Sequence, residues 1–222
     1  DNVSGVVAET KDGKLTVKSK AVIIATGGFG GSDELVSKYR PELKGYVSTN
    51  APEITGDAIS FLEKINADFV DMKAIQTHPT VSQKDGSLVS ESLRGDGAIL
   101  LNKEGKRFTD EMQTRDYVSN KINEQTDKTA WIVVDNKMYE ESNVIKKYVS
   151  KGLLAKVEDY NEMAKFIGAD AKVVEESIKK WSSYVDLKED SEFGRKNLDK
   201  YPSNLSKGPY YIGAVAPGIH HT

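Results

Sequence analysis

The sequence predicts a mixed α/β chain in two parts. The first is the edge of an α/β nucleotide-binding domain. After about Met72 comes a separate α+β unit, and the final residues turn back toward a site. Three observations carry this reading. A short apolar, β-branched run, Ala21-Val22-Ile23-Ile24-Ala25, leads directly into a glycine-rich turn and a helix start, the pattern of a strand buried on both faces of a parallel sheet. From Lys73 to Thr114 the chain alternates short strands with polar loops. A strongly amphipathic stretch begins at Asp170, with Val174, Ile178, Trp181 and Val185 at helical spacing.

The elements follow in order. Val3 to Glu9 and Lys14 to Lys18 read as two strands, with Asp12-Gly13 as the hairpin turn between them. Ser32 can cap a helix running to about Arg40, and Asp33 and Glu34 suit the positive end of its dipole. A second helix is expected from Asp57 to about Ile65, because Ala58, Phe61, Leu62 and Ile65 fall on one face. Asp116 to Gln125 reads as helix, Trp131 to Val134 as strand and Lys137 to Ser142 as a short helix. Asp170 caps the long helix to about Val185, whose apolar stripe is core packing. Asp186 to Lys207 is charged and turn-rich, and Tyr210 to Val215 closes as a strand.

Composition narrows the function. The chain has 222 residues, 38% hydrophobic and 29% charged, with a formal charge of -3. This is ordinary for a globular protein and too near neutral for the basic face of a nucleic-acid binder. No apolar run approaches the ~20 residues of a transmembrane helix. Cysteine is absent, so disulfides, thiolate metal sites and a cysteine nucleophile are excluded. Both ends lack the features of a complete domain, and the sequence reads as a piece of a longer protein.

Two groups of residues can carry chemistry. In the first, Thr26, Gly27 and Gly28 open a turn that either binds an anion through backbone N–H groups or is a tight structural turn. The spacing is not that of the dinucleotide fingerprint. Asp57 can accept a ribose hydroxyl or serve as a helix cap. In the second group stand the three histidines, His78, His220 and His221, with Ser90, Glu91, Arg94, Arg107 and Arg115. No acidic residue lies at a familiar metal-ligand spacing from the histidines, so no metal site is expected. Arginine forks with hydroxyl and imidazole donors suit a carboxylate. The plainer alternative makes Arg94, Arg107 and Arg115 surface partners of Glu91, Asp110 and Asp116.

Taken in order, Ala25-Thr26-Gly27-Gly28-Phe29, Ser48-Thr49-Asn50, Gly56-Asp57, His78-Pro79-Thr80, Ser90-Glu91 with Arg94-Gly95, Gly105-Lys106-Arg107-Phe108, Thr114-Arg115-Asp116 and Gly218-Ile219-His220-His221-Thr222 form a pattern along nearly the whole chain. That pattern resembles the flavoprotein subunit of the fumarate reductase and succinate dehydrogenase family, in the form of the soluble, flavocytochrome c type fumarate reductases.

The resemblance implies FAD as cofactor, an FAD-binding piece at residues 1–71, a mobile capping domain at 72–216 and a return to the FAD-binding domain at 217–222. It implies that Arg115 delivers a proton to the substrate double bond while Glu91 and Arg94 return one to it. His78, Ser90 and His220, with Glu91 beside them, would hold a dicarboxylate. Thr26, Gly27 and Gly28 would belong to the FAD site, and Asp57 and His221 would touch FAD. The reaction implied is reduction of the double bond of an unsaturated carboxylate, fumarate first, fed by an electron-donor module or protein. Urocanate, an acrylate or a ketosteroid are the alternative substrates, and an isolated non-catalytic capping domain is the alternative role. Ser90 stands where the family usually has threonine, which keeps the hydroxyl. The family's N-terminal glycine fingerprint and its Asn-Arg-x-Gly-Gly segment are not within these residues, so the chain alone is expected to hold FAD weakly and not to turn over. The resemblance leaves the compartment open between the bacterial cytoplasm and export.

Overall fold

The architecture follows from a computed structural model, which describes residues 3–222. Along the chain the elements are β1 (Gly5–Thr10), β2 (Gly13–Lys18), α1 (Asp33–Tyr39), α2 (Asp57–Lys64), β3 (Gln76–Val81), α3 (Ser92–Gly95), β4 (Ile99–Leu101), α4 (Arg115–Asn123), β5 (Ala130–Asp135), α5 (Asn136–Glu141), α6 (Asn143–Ser150), β6 (Ala155–Val157), α7 (Tyr160–Ile167), α8 (Ala171–Leu187) and β7 (Tyr210–His221). β1 and β2 form a separate antiparallel hairpin closed at Thr10 and Gly13. The other strands form one antiparallel sheet in the order β3-β7-β5-β4, with β6 also on β7.

The caps read from the sequence are present. The Ser32 side chain accepts from Leu35 N–H, and that of Asp170 accepts from Lys172 N–H. Val174, Ile178 and Trp181 are fully buried, so the stripe of α8 is core, as its periodicity requires. Asp57 does not cap α2. Gly56 holds that position at φ 76°, where a Cβ would also collide with Leu35 and Phe29, and Asp57 sits in the first turn.

Three expectations need correction. Ala21–Ala25 is not a strand: no described strand lies beside it, and Ile23 is 90% exposed. A buried parallel strand exists only where neighbours supply both its hydrogen bonds and its cover. Secondly, α6, β6 and α7 fill a stretch for which the sequence suggested nothing. Yet α7 carried legible signals, with Asp159 accepting from two N–H groups at its start and Gly168 at φ 81° at its end. Finally, β7 does not stop at Val215 but runs on to His221.

The long β7 positions the site. Its first half pairs with β5, from Tyr210 opposite Asp135 to Val215 opposite Ala130. Its second half crosses to β3, with Ala216 opposite Val81, Gly218 opposite His78 and Ile219 opposite Thr77. The register slips between His78 and Val81. Pro79 lies in that gap and has no N–H to give to a ladder. β7 thereby joins a large core, built on β4, β5, α4, α7 and α8, to a small one of Phe29, Val36, Leu43, Ile59, Ile75 and Ile219.

Candidate active site

The two expected groups of residues lie in different places. Thr26, Gly27 and Gly28 line a cleft of about 460 Å³, together with Ile59 and Leu62 of α2, Phe69 to Met72 and Thr222. Three N–H groups just past Gly28 are spent within the protein. Phe29 N–H donates to Thr222 Oγ1 at 2.7 Å, Gly31 N–H to Ile54 O at 2.7 Å and Ser32 N–H to Phe29 O at 2.9 Å. Gly28 is needed for this closure, since a Cβ there would stand 2.1 Å from Thr222 Oγ1. What Thr26–Gly28 offer the cleft is close backbone approach. Asp57 lies apart from its lining, with Oδ1 accepting from Thr55 Oγ1 at 2.7 Å.

The second group converges where β3, β7, α3 and α4 meet. Antiparallel pairing brings His78 and His220 together, with ring centroids 5.2 Å apart. Val89 N–H donates to Thr80 O, and Thr80 Oγ1 donates to Val89 O. This pairing folds the next residues, Ser90 and Glu91, back against β3. The Ser90 hydroxyl accepts from Ser92 N–H, and His78 Nε2 lies 3.9 Å from Glu91 Oε2.

Arg115 opens α4. A cation is unfavourable at the positive end of a helix dipole, so its charge must be answered from elsewhere. Glu91 does this with a fork-to-fork pair, Nε to Oε2 at 2.7 Å and NH2 to Oε1 at 2.8 Å. A third N–H bond, from NH1, goes to Gln76 Oε1 at 2.8 Å. Of the guanidinium's five N–H donors, two are left for a ligand. The hydrogen bond from Arg115 holds the Glu91 carboxyl below its usual range, and the same bond raises Arg115.

His78 is buried, 1% exposed, and burial, with Arg94, His220 and Arg115 nearby, pushes it down to about 3. It is neutral, so its approach to Glu91 is not an ion pair. Its tautomer follows from the backbone: Thr80 N–H donates to Nδ1 at 3.2 Å, which puts the ring's own proton on Nε2, on the Glu91 side. Burial likewise lowers His220, whose Nδ1 lies 2.8 Å from Thr49 Oγ1. His221 is exposed beside it, with ring centroids 4.0 Å apart.

Arg94 is 3% exposed, and burial lowers it to about 10. Its NH1 donates to Glu111 O at 2.6 Å, while its Nε has no partner. Neither Arg94 nor Arg107 forms the surface pair that the plainer sequence reading offered. Arg107 is buried and bonds Glu111 and Asp190, not Asp110, and Arg115 takes Glu91 and not Asp116.

Sequence reasoning missed Gln76 and Thr49 as parts of this cluster. Thr49 stood in a segment already singled out and Gln76 two residues before His78, but a glutamine or threonine has no spacing signal of its own. Thr49 reaches His220 through the Ser48–Ile219 bridge, and Gln76 meets Arg115 at the start of α4.

The chain matches the model of the FAD binding domain family over residues 1–222. It belongs to that family. Among relatives of this FAD-binding chain, the fumarate reductase (cytochrome) of Shewanella frigidimarina is 41% identical over 210 residues, covering 95% of this chain and 36% of that protein. The urocanate reductase of Eggerthella lenta is 36% identical over 215 residues, covering 92% of this chain and 35% of that protein. A flavocytochrome c3 fumarate reductase solved in an open conformation matches with a TM-score of 0.79 at 36% identity, over 99% of this chain and 39% of the other. The chain therefore spans somewhat over a third of the length of these relatives. The 460 Å³ cleft, lined by bare glycine backbone and by Leu62, Phe69 and Met72, fits part of an FAD. Among the described residues no helix is long and apolar enough to cross a membrane.

Proposed function

We propose that this chain forms the substrate side of an FAD-dependent reductase that reduces the double bond of an unsaturated carboxylate, fumarate to succinate. The observation that carries this reading is the Arg115–Glu91 fork beside neutral His78, with His220 across from it. In this reading residues 72–216 form a capping domain over an FAD-binding part at 1–71 and 217–222. Thr26, Gly27 and Gly28 face the cofactor, and Asp57 and His221 contact it in the complete protein. An electron-donor module or protein is the implied partner. The chain by itself does not turn over.

FAD supplies a hydride to one alkene carbon when bound. The residues of this chain do the rest. His78 Nε2–H, the Ser90 hydroxyl and His220 bind and orient the carboxylates. The two unused N–H bonds of Arg115 face the reacting carbons, stabilise the negative charge that develops there and give one proton to the second carbon. An arginine, with its pKa above ~12, can donate to so strong a base as a carbanion provided the proton is replaced at once. Glu91 is already bonded to two of the Arg115 nitrogens and returns the proton, and Arg94 resupplies Glu91. The lowered Arg94 and raised Arg115 run in the direction such a relay needs.

A second reading keeps this chemistry and exchanges fumarate for urocanate, and the Eggerthella lenta relative supports it. The two are separated by reducing the complete protein anaerobically and adding fumarate, urocanate or acrylate. Prompt reoxidation by fumarate alone is expected. Reoxidation by urocanate alone would transfer the site to that substrate. Arg115→Ala should lower alkene reduction by about a thousandfold or more while FAD stays bound, the scale of losing a transition-state charge partner. Undiminished turnover would falsify the role of Arg115.

A further inference from the structure

Behind the site lies an ionic cluster that the proposed reaction does not use. Arg107, Glu111, Asp190 and Arg195 are between 0% and 6% exposed. Glu111 Oε1 accepts from Arg107 Nε at 2.9 Å and from Leu100 N–H at 3.2 Å. Glu111 Oε2 accepts from Arg107 NH2 at 2.8 Å and from Arg195 NH1 at 2.9 Å. Asp190 takes Arg107 NH2 at 3.1 Å. The Trp181 ring has Arg107 4.4 Å and Arg195 4.8 Å from its centroid. The four charges sum to zero within the cluster. Burying them is expensive, and a well-packed apolar core often serves stability as well or better.

What the cluster does hold is Arg94, and it holds that residue from both ends. Glu111 gives its backbone carbonyl to Arg94 NH1, and Arg195 NH2 donates to the carbonyl of Arg94 itself. Arg195 also bonds Ala98 O at 2.9 Å, on the far side of the α3 turn that carries Arg94. The Arg94 guanidinium thus has one fixed direction, with a buried, unpartnered Nε.

We propose that Arg195 and Glu111 are positioning residues for Arg94, fixing its guanidinium behind Glu91 so that protons reach Arg115 along one path. The inference rests on the relay reading above. The step is a proton transfer only. Arg115 loses N–H to the alkene carbon, Arg94 N–H protonates the Glu91 carboxylate, the Glu91 O–H so formed passes its proton to the Arg115 nitrogen, and Arg94 recovers a proton from water. The lowered pKa of Arg94 agrees with the role, because burial is its largest cause and the Arg195 charge adds to it.

The test is Arg195→Lys in the complete, FAD-loaded protein, beside Arg115→Ala. Lysine keeps the charge but cannot bond Arg94 O, Ala98 O, Glu111 and Tyr201 together. The expected result is kcat lowered about tenfold with KM for the alkene unchanged, a steeper kcat–pH profile and a larger solvent isotope effect, since a displaced relay group limits proton supply. Should Arg195→Lys fail to fold, Tyr201→Phe removes only the hydroxyl that accepts from Arg195 Nε at 2.8 Å, and should shift kcat and its isotope effect the same way by a smaller factor. Unchanged kcat, pH profile and isotope effect in the variant that folds would overturn the positioning role. If Arg115→Ala also leaves turnover intact, the relay reading itself is what has failed.

Discussion

The chain contains two forked arginine–carboxylate pairs of nearly identical geometry in opposite surroundings. Arg115 meets Glu91 at 2.7 Å with side chains 28% and 51% exposed, whereas Arg107 meets Glu111 at 2.8 Å with side chains 2% and 0% exposed. The first is within reach of water and keeps N–H bonds free. The second is closed on all sides by Arg195, Asp190, Leu100 and Trp181. Geometry alone does not tell a pair that a ligand can reach from an enclosed one. Burial does, because it sets what breaking the pair costs and whether a ligand can compete for its donors.

The sharpest way to break the comparison is to remove the carboxylate from each pair. Glu111→Ala should destabilise the chain by about 3–5 kcal/mol, as uncompensated buried arginines do, seen as a lower denaturant midpoint. A loss no larger than that of an exposed pair would mean the buried cluster rearranges easily. Glu91→Gln should change stability by less than about 1 kcal/mol, because the exposed pair is screened and its gain offset by side-chain ordering. A large loss there would show that Glu91 also carries structure.

A titration sharpens the contrast with a smaller effect. His78 is lowered in the fold to about 3 from an ordinary 6.5, so below 6.5 the unfolded chain binds the extra proton. Stability is therefore complete above about 6.5 and falls as pH drops from there toward 3. For Glu111, burial pushes the carboxyl up, but the charges of Arg107 and Arg195 more than offset this and hold it at about 2, so its contribution is lost lower, between 4.5 and 2. Replacing His78 by glutamine should flatten the first window and leave the second. Chemical denaturation at stepped pH reads both, and an unchanged slope between pH 6.5 and 4.5 would mean His78 is charged in the fold.

The elements with local signals were legible from the sequence. The stripe of α8, the Ser32 and Asp170 caps and the Asp12-Gly13 hairpin rest on residues within a few positions of one another, and all are present. Ala21–Ala25 shows the limit. Its apolar β-branched run is a local fact, but a buried strand is a relation to neighbours, and none of the described strands supplies it. The arginines failed in the same way. Sequence proximity suggested Asp110 for Arg107, while the partner that completes its bonding, Asp190, comes from a stretch read only as charged and turn-rich.

Residue types and their order determined the family pattern, the donors suited to a carboxylate, and the set His78, Ser90, Glu91, Arg94, Arg115 and His220. The tertiary structure decided the rest. The β7 crossing places His220 beside His78 and, through the Ser48–Ile219 bridge, Thr49 beside His220, while α4 brings the part-exposed Arg115 to Gln76 and the Glu111 cluster buries Arg94 and Arg107. Burial and register are sums over residues far apart in sequence, so the charge state of a histidine or the partner of an arginine is fixed only when the sheet closes.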